Sequence, residues 1–170
     1  QFNMHFLSHY YYELPAKSPL FVAGLSIPDL TPGFSRKYNS VIKNSVLNKG
    51  YDVEQIQKGI ESHYTADKLF HNSTVFTELM SLTIQSFLAE GLNREKLRLS
   101  VIAHVAVELM IDRQILVENE QLCKDYYVQL DNANEETIVS YFDALSLQDI
   151  KSDFLTKFHL SLLRDHIRFI

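Results

Sequence analysis

A chain of 170 residues, 46% hydrophobic and 22% charged, has an ordinary globular composition and a length suited to one domain, which hides roughly two-thirds of its unfolded surface. A formal net charge of -5 argues against nucleic acid as the main partner, because that affinity comes from basic side chains that neutralise phosphates. One cysteine, Cys123, excludes an internal disulfide and a cysteine-based metal motif, and with no secretory signal and no bilayer-spanning apolar run it leads us to expect a cytoplasmic protein without a membrane partner.

Gln1-Phe2-Asn3 precede Met4, the expected natural start, so residues 1–3 are set apart as an expression remnant and 4–170 are taken as a single helical domain. All four prolines lie early: Pro15, Pro19, Pro28 and Pro32. With Gly33 they break the first part into short helices, at about Phe6–Tyr12, Pro19–Ile27 and Arg36–Leu47. Asp52 and Gln55 have the spacing of a capping box, and Val53, Ile56, Ile60 and Tyr64 follow at helical intervals, which predicts a helix over 53–71. Asn72-Ser73 can cap the next helix, which continues through Phe76, Leu79 and Phe87 to a stop at Gly91. Asn93 opens a long helix that runs to Leu116 or beyond. Asn134-Glu135-Glu136 places acids in a first turn, where the helix dipole favours them, and Ser146 with Asp149 repeats the capping signature. Helices over 135–145 and 147–169 complete an all-α bundle of about seven to nine helices.

On the helix near residue 60, at about 100° per residue, His63, Asp67 and His71 fall within the arc of Val53, Ile56, Ile60 and Tyr64. Polar groups thus occupy the face that should be buried. The segment from Leu99 to Ile111 is apolar except for Ser100, His104 and Glu108, and therefore reads as a central helix that carries an ionisable pair four residues apart, with Asp112 one turn later. An unpaired buried carboxylate costs several kcal/mol by the usual estimates. A divalent Mn, Fe or Zn ion held between the two pairs, His63/Asp67 and His104/Glu108, would offset that charge, accept neutral imidazole and acidify a water for hydrolysis. The competing explanation is a structural hydrogen bond or ion pair at each helix. His9, in an apolar N-terminal segment, and Asp29, after Pro28, are further candidates.

In chain order these segments resemble the acyl carrier protein phosphodiesterase family, also called acyl carrier protein hydrolases, which are compared with the HD-type metal phosphohydrolases. Met4-His5-Phe6-Leu7-Ser8-His9 is similar to that family's Met-Asn-Phe-Leu-Ala-His. Gly24-Leu25-Ser26-Ile27-Pro28-Asp29 resembles Gly-Asn-Leu-Leu-Ala-Asp, and the run from Gly59 to Asp67 resembles Gly-Ile-x-x-His-Arg-x-Ile-Asp. The likeness covers about residues 4–115. It implies an HD-like helical fold, metal-dependent cleavage of the phosphodiester joining phosphopantetheine to a carrier-protein serine, and His9, Asp29, His63 and Asp67 as metal ligands. The chain departs from the pattern at Tyr64, where the family has Arg; at His71, where Asp is expected; and at His104 with Glu108-Leu109, which replace Asp followed by Asp-His. These changes keep metal-ligand character overall and bear on the metal, the nuclearity and the substrate.

The leading expectation is a phosphodiester hydrolase with metal ligands His9, Asp29, His63, Asp67, His104 and Glu108, and with His71 or Asp112 assisting proton transfer or orienting a ligand. Its partner would be acyl carrier protein or a small phosphodiester. Arg36, Lys37, Lys43 and Lys49, in a stretch without acids, offer a phosphate-facing or carrier-facing surface, or an ordinary solvated helix face. Two alternatives are a non-enzymatic helical module, with Tyr10-Tyr11-Tyr12 and Tyr126-Tyr127 as interface residues, and an HD-like nucleotide phosphohydrolase. No phosphate-cradling glycine loop and no Gly-x-Ser-x-Gly elbow is present.

Overall fold

The helical periods resolve into eight helices among the described residues, with no strand, in a computed structural model that describes residues 6–15, 18–31, 34, 50–92, 98–145 and 147–163. They are α1 (Phe6–Tyr12), α2 (Pro19–Leu30), α3 (Tyr51–His71), α4 (Thr74–Ala89), α5 (Leu99–Glu118), α6 (Glu120–Asp131), α7 (Glu135–Ala144) and α8 (Gln148–Leu163). The expected helix Arg36–Leu47 with its basic residues, the start at Asn93, the Ser146 cap and the end beyond 163 lie outside the described residues. No helix among the described residues is long and apolar enough to cross a membrane.

Ser18 starts α2: its hydroxyl accepts the Phe21 N–H at 3.3 Å, and Pro19 takes the first helical position, where its missing N–H costs nothing. The expected stop at Ile27 is corrected, since α2 runs through Pro28 to Leu30. A proline forfeits one backbone bond near a helix end, and here the burial of Val22, Ile27 and Leu30 and the bond from Thr31 Oγ1 to the Ile27 carbonyl hold the last turn in place. That extra turn carries Asp29.

The capping box at Asp52 is also corrected. The residue that begins α3 is Gly50, at φ 93°, which makes no side-chain cap bond; Asp52 lies in the first turn, and Gln55 accepts the Ser18 hydroxyl at 3.2 Å. Ser73 does cap α4, accepting the Phe76 N–H at 3.1 Å, and Gly91 follows that helix with φ 83°. Asn119 separates α5 from α6, its side chain accepting the Leu122 N–H at 3.1 Å. The sequence reading passed over α6, although Asn119 is a favoured cap and Leu122, Tyr126 and Leu130 follow at helical spacing.

The most extensive helix contact joins α2 to α3, where backbone meets backbone. A Cβ on Gly59 would strike the Phe21 carbonyl oxygen and lie 2.9 Å from the Gly24 Cα, and a Cβ on Gly24 would strike the Ile56 carbonyl oxygen. Ile56 and Ile60 on α3, Val22 and Ile27 on α2, and Tyr141, Phe142, Phe154 and Phe158 from α7 and α8 form one core, each aliphatic or aromatic side chain there contributing about 1.5–3 kcal/mol by burial. Tyr10 and Tyr126 are buried in it, whereas Tyr11 and Tyr12 are exposed.

Helix α5 is not the central helix expected from its composition. It buries Ala103, Val107, Glu108 and Asp112, but Val101, Ile102, Met110 and Val117 face outward, and α4, its main neighbour, likewise exposes Val75, Leu82 and Leu88. An apolar residue is buried only where another element covers it, and among the described residues α5 is covered on one side.

Candidate functional site

Phase on α3 turns His63 inward, one helical turn beyond Gly59, with only 1% of its surface exposed. Its Nδ1 donates to the Leu25 carbonyl of α2 at 2.9 Å, so that it is Nε2 that gives up its proton when the ring is neutral. That nitrogen lies 3.7 Å from Asp29 Oδ1 and 3.4 Å from Asp67 Oδ2. From α1, His9 stacks on His63 with ring centroids 4.0 Å apart and brings its Nε2 to 3.3 Å from Asp67 Oδ1. Three helices therefore deliver His9, Asp29, His63 and Asp67 to one point. The nearness of α2 and α3, set by their glycines, is what allows Asp29 and His63 to meet.

The second group lies further along α3. His71 Nε2 is 3.1 Å and His104 Nε2 2.8 Å from the same oxygen, Glu108 Oε1. The two rings are edge-on at 4.7 Å, and Phe76 packs against both, at 4.8 Å and 5.2 Å. Glu108 is buried, and the two imidazoles are partly exposed.

The expected single site, with His63/Asp67 facing His104/Glu108 across one ion, is thus corrected to two separate groups. His104 and Glu108 associate with His71, the residue expected to assist proton transfer or to orient a ligand, and His63 and Asp67 associate with His9 and Asp29. The donor atoms of His9, Asp29 and His63 all lie within 4.8 Å of one another, as do those of His71, His104 and Glu108. Donors bound at about 2.1 Å around a tetrahedral ion stand about 3.4 Å apart, so the first group has to draw in from 3.7 Å between His63 and Asp29, and the second has to open from 3.1 Å and 2.8 Å about Glu108. Imidazole and carboxylate together suit Zn, Fe or Mn.

Charge is distributed accordingly in the first group. Burial pulls the His63 pKa down, but the hydrogen bond to Asp67 and the charge of Asp29 outweigh it and leave the value raised from 6.5. For Asp67, burial acts to raise the pKa, yet hydrogen bonds from His63 and His9 prevail and hold it well below the usual carboxylate range. Elsewhere, burial and the charges of Asp112 and Glu120 push the Cys123 thiol up to about 11, so it is not a poised nucleophile.

Asp112, expected to assist proton transfer or to orient a ligand, sits at the start of α1: its Oδ2 and Oδ1 accept the Leu7 and Ser8 N–H groups at 3.2 Å and 2.8 Å. It is a positioning residue for His9, which follows directly in the chain. Replacing it in D112A is expected to cost about 1–2 kcal/mol of stability in urea denaturation, the range for a lost helix cap, and to weaken metal uptake at the first group, while D112N keeps part of both. Ser62 Oγ donates to Glu13, tying the residue after α1 to α3, a contact with no local sequence signal.

A cavity of about 570 Å³ opens between α1, α3, α4 and α5. His9 and Asp67 from the first group and Glu108 from the second line it, with apolar walls that include Tyr11, Tyr12, Phe70 and Ile111 and, among the described residues, no lysine or arginine. Comparison with protein-family models, with curated proteins and with solved structures finds no match.

Proposed function

We propose that this protein is a metal-dependent hydrolase acting on a phosphodiester at the His9–Asp29–His63–Asp67 group. The observation that carries the reading is the convergence of these four side chains from three helices, two of them, His9 and Asp67, lining a cavity whose described walls hold acids and no lysine or arginine. Such a cavity repels an anionic substrate until a cation is held there, so the residues suit a role in which metal and phosphate bind together. When bound, the ion supplies a Lewis acid and lowers the pKa of a water to near neutrality.

The chain's own part follows from burial. Asp29 and His63, both deeply buried, hold and orient, with the Leu25 carbonyl fixing the His63 tautomer. Asp67 is about one-third exposed, faces the cavity and lies within reach of both imidazoles, which suits its carboxylate to hold the ion or to orient a water by hydrogen bonding. Tyr11, Tyr12, Phe70 and Ile111 provide a dry wall suited to an extended, weakly polar leaving group, as the pantetheine arm of a loaded carrier protein would be. That substrate is also what the resemblance to acyl carrier protein phosphodiesterases implies.

Chelation is the test. Protein stripped of metal should lose hydrolysis of bis-(p-nitrophenyl) phosphate and regain it with Mn, Fe or Zn, and loaded carrier protein should release phosphopantetheine. Activity that survives stripping, or no turnover with any of the three ions, would sink the proposal. The alternative of a helical interaction module with structural metal or polar networks draws on the outward Leu82, Met110 and Val117. It predicts metal-dependent melting without turnover.

A further inference from the structure

We infer that His71, His104 and Glu108 form a second metal centre, built from a ligand set distinct from the first and taking a borderline first-row ion such as Zn²⁺ or Co²⁺ rather than Mg²⁺ or Ca²⁺. Two imidazoles from different helices aim their Nε2 atoms at one carboxylate oxygen, at 3.1 Å and 2.8 Å. All three donor atoms fall within 4.8 Å of one another. Two imidazoles and one carboxylate favour such an ion, and three protein ligands leave a coordination position for water or substrate.

The geometry is set by packing rather than by the ion. Phe76 lies against both imidazoles and Phe70 against Phe76 at 5.0 Å, so the rings are held by an aromatic wall. The Glu108 carboxylate is anchored on the buried side of α5, while His71 and His104 keep 30% and 38% of their side-chain surface exposed. Ions can therefore enter and leave this centre from solvent more readily than one lodged beside His63, at 2% exposure. It is the weaker and faster-exchanging of the two.

Among the described residues no ligand belongs to both centres. His63, Asp67 and His71 follow one another at four-residue steps on α3, about 6 Å each along the axis, and the two ligand sets share no residue. Glu108 nevertheless lines the same cavity as His9 and Asp67. An anionic ligand in that cavity would meet a cation at either end.

Metal stoichiometry separates this inference from the proposed function. Metal-free protein titrated with Zn²⁺ by calorimetry, and with Co²⁺ by visible absorption, should take up two equivalents. H104A and H63A should each take up one, the first lacking the weaker step and the second the tighter one. H71A should behave as H104A does; both replaced side chains are partly exposed, and circular dichroism verifies the fold. Uptake of a single equivalent that H63A abolishes and H104A spares would overturn the second centre and leave the first standing. A single equivalent lost in H104A but kept in H63A would support the second centre and remove the basis of the proposed hydrolase. No uptake at all would overturn both.

Discussion

Replacing Gly59 with alanine is expected to destabilise the protein by about 1–3 kcal/mol and to abolish tight metal binding at the first group, a result opposite in sign to the usual outcome in a helix. Inside an ordinary helix the change from glycine to alanine stabilises by about 0.5–1 kcal/mol, because it removes backbone freedom from the unfolded chain. At residue 59 the added methyl would run into the Phe21 carbonyl oxygen and stand 2.9 Å from both the Gly24 Cα and the Leu25 N. All of these are backbone atoms, which cannot turn aside as a side chain can, so α2 and α3 must part. Asp29 lies on one helix and His63 on the other. A separation of about 1 Å would stretch the Leu25–His63 hydrogen bond and misplace the ligands, and displacements of that size cost about 100-fold in catalysis. Urea melts and zinc calorimetry on G59A measure the two effects. Unchanged stability with unchanged affinity would show that the helix contact does not set the site.

The second large effect is expected at His63. H63A should weaken metal binding at the first group by more than the roughly 10–100-fold lost when a mere supporting partner of a ligand is removed. In the metal-free protein it should also destabilise, because the Leu25 carbonyl loses its partner and Asp29 and Asp67 lose the imidazolium that stands between them. The pH dependence has a definite sign. The folded-state pKa of His63 is raised above 6.5, so the stability it contributes is fully present below that pH and fades as pH rises through the folded value. Asp67, lowered from 3.8, contributes stability above that pH and loses it as acid protonates the carboxylate. Metal binding runs the other way from the His63 effect, since the ion must displace the proton. Affinity should climb as pH passes through the raised His63 pKa, with proton release to buffers of different ionisation enthalpy, and H63A should flatten both trends. A flat affinity profile in the unsubstituted protein would remove His63 from the ligand set.

Helical phase was enough to place His63 on the buried face of α3 and Glu108 on that of α5, because the period of a helix fixes relative directions along it, whereas Asp67 and His104, expected inward by the same phase, keep 33% and 38% of their side chains exposed. Phase does not say which helices meet. The sequence therefore joined the two i, i+4 pairs across a single ion, whereas the fold assigns His71 to one set and divides the rest. Hydrophobicity misled at α5 for a related reason: Leu99 to Ile111 records how apolar the residues are and nothing of what covers them, and Met110 is half exposed. Pro28 and Asp52 carry strong local signals that burial and an upstream glycine override. The glycines at 24 and 59 open two of the motifs that carry the family resemblance, but only the fold pairs them.

Helix α5 carries His104, Glu108 and Asp112 at successive turns: a rim, a cavity wall and the anchor of α1. A helix is stiff along its axis, so a slide or roll that tightens one of these contacts is transmitted to the other two. Occupancy at His71–His104–Glu108 and the placement of His9 are then coupled through one rod. By thermodynamic reciprocity, whatever one cation does to the affinity of the other is returned in equal measure.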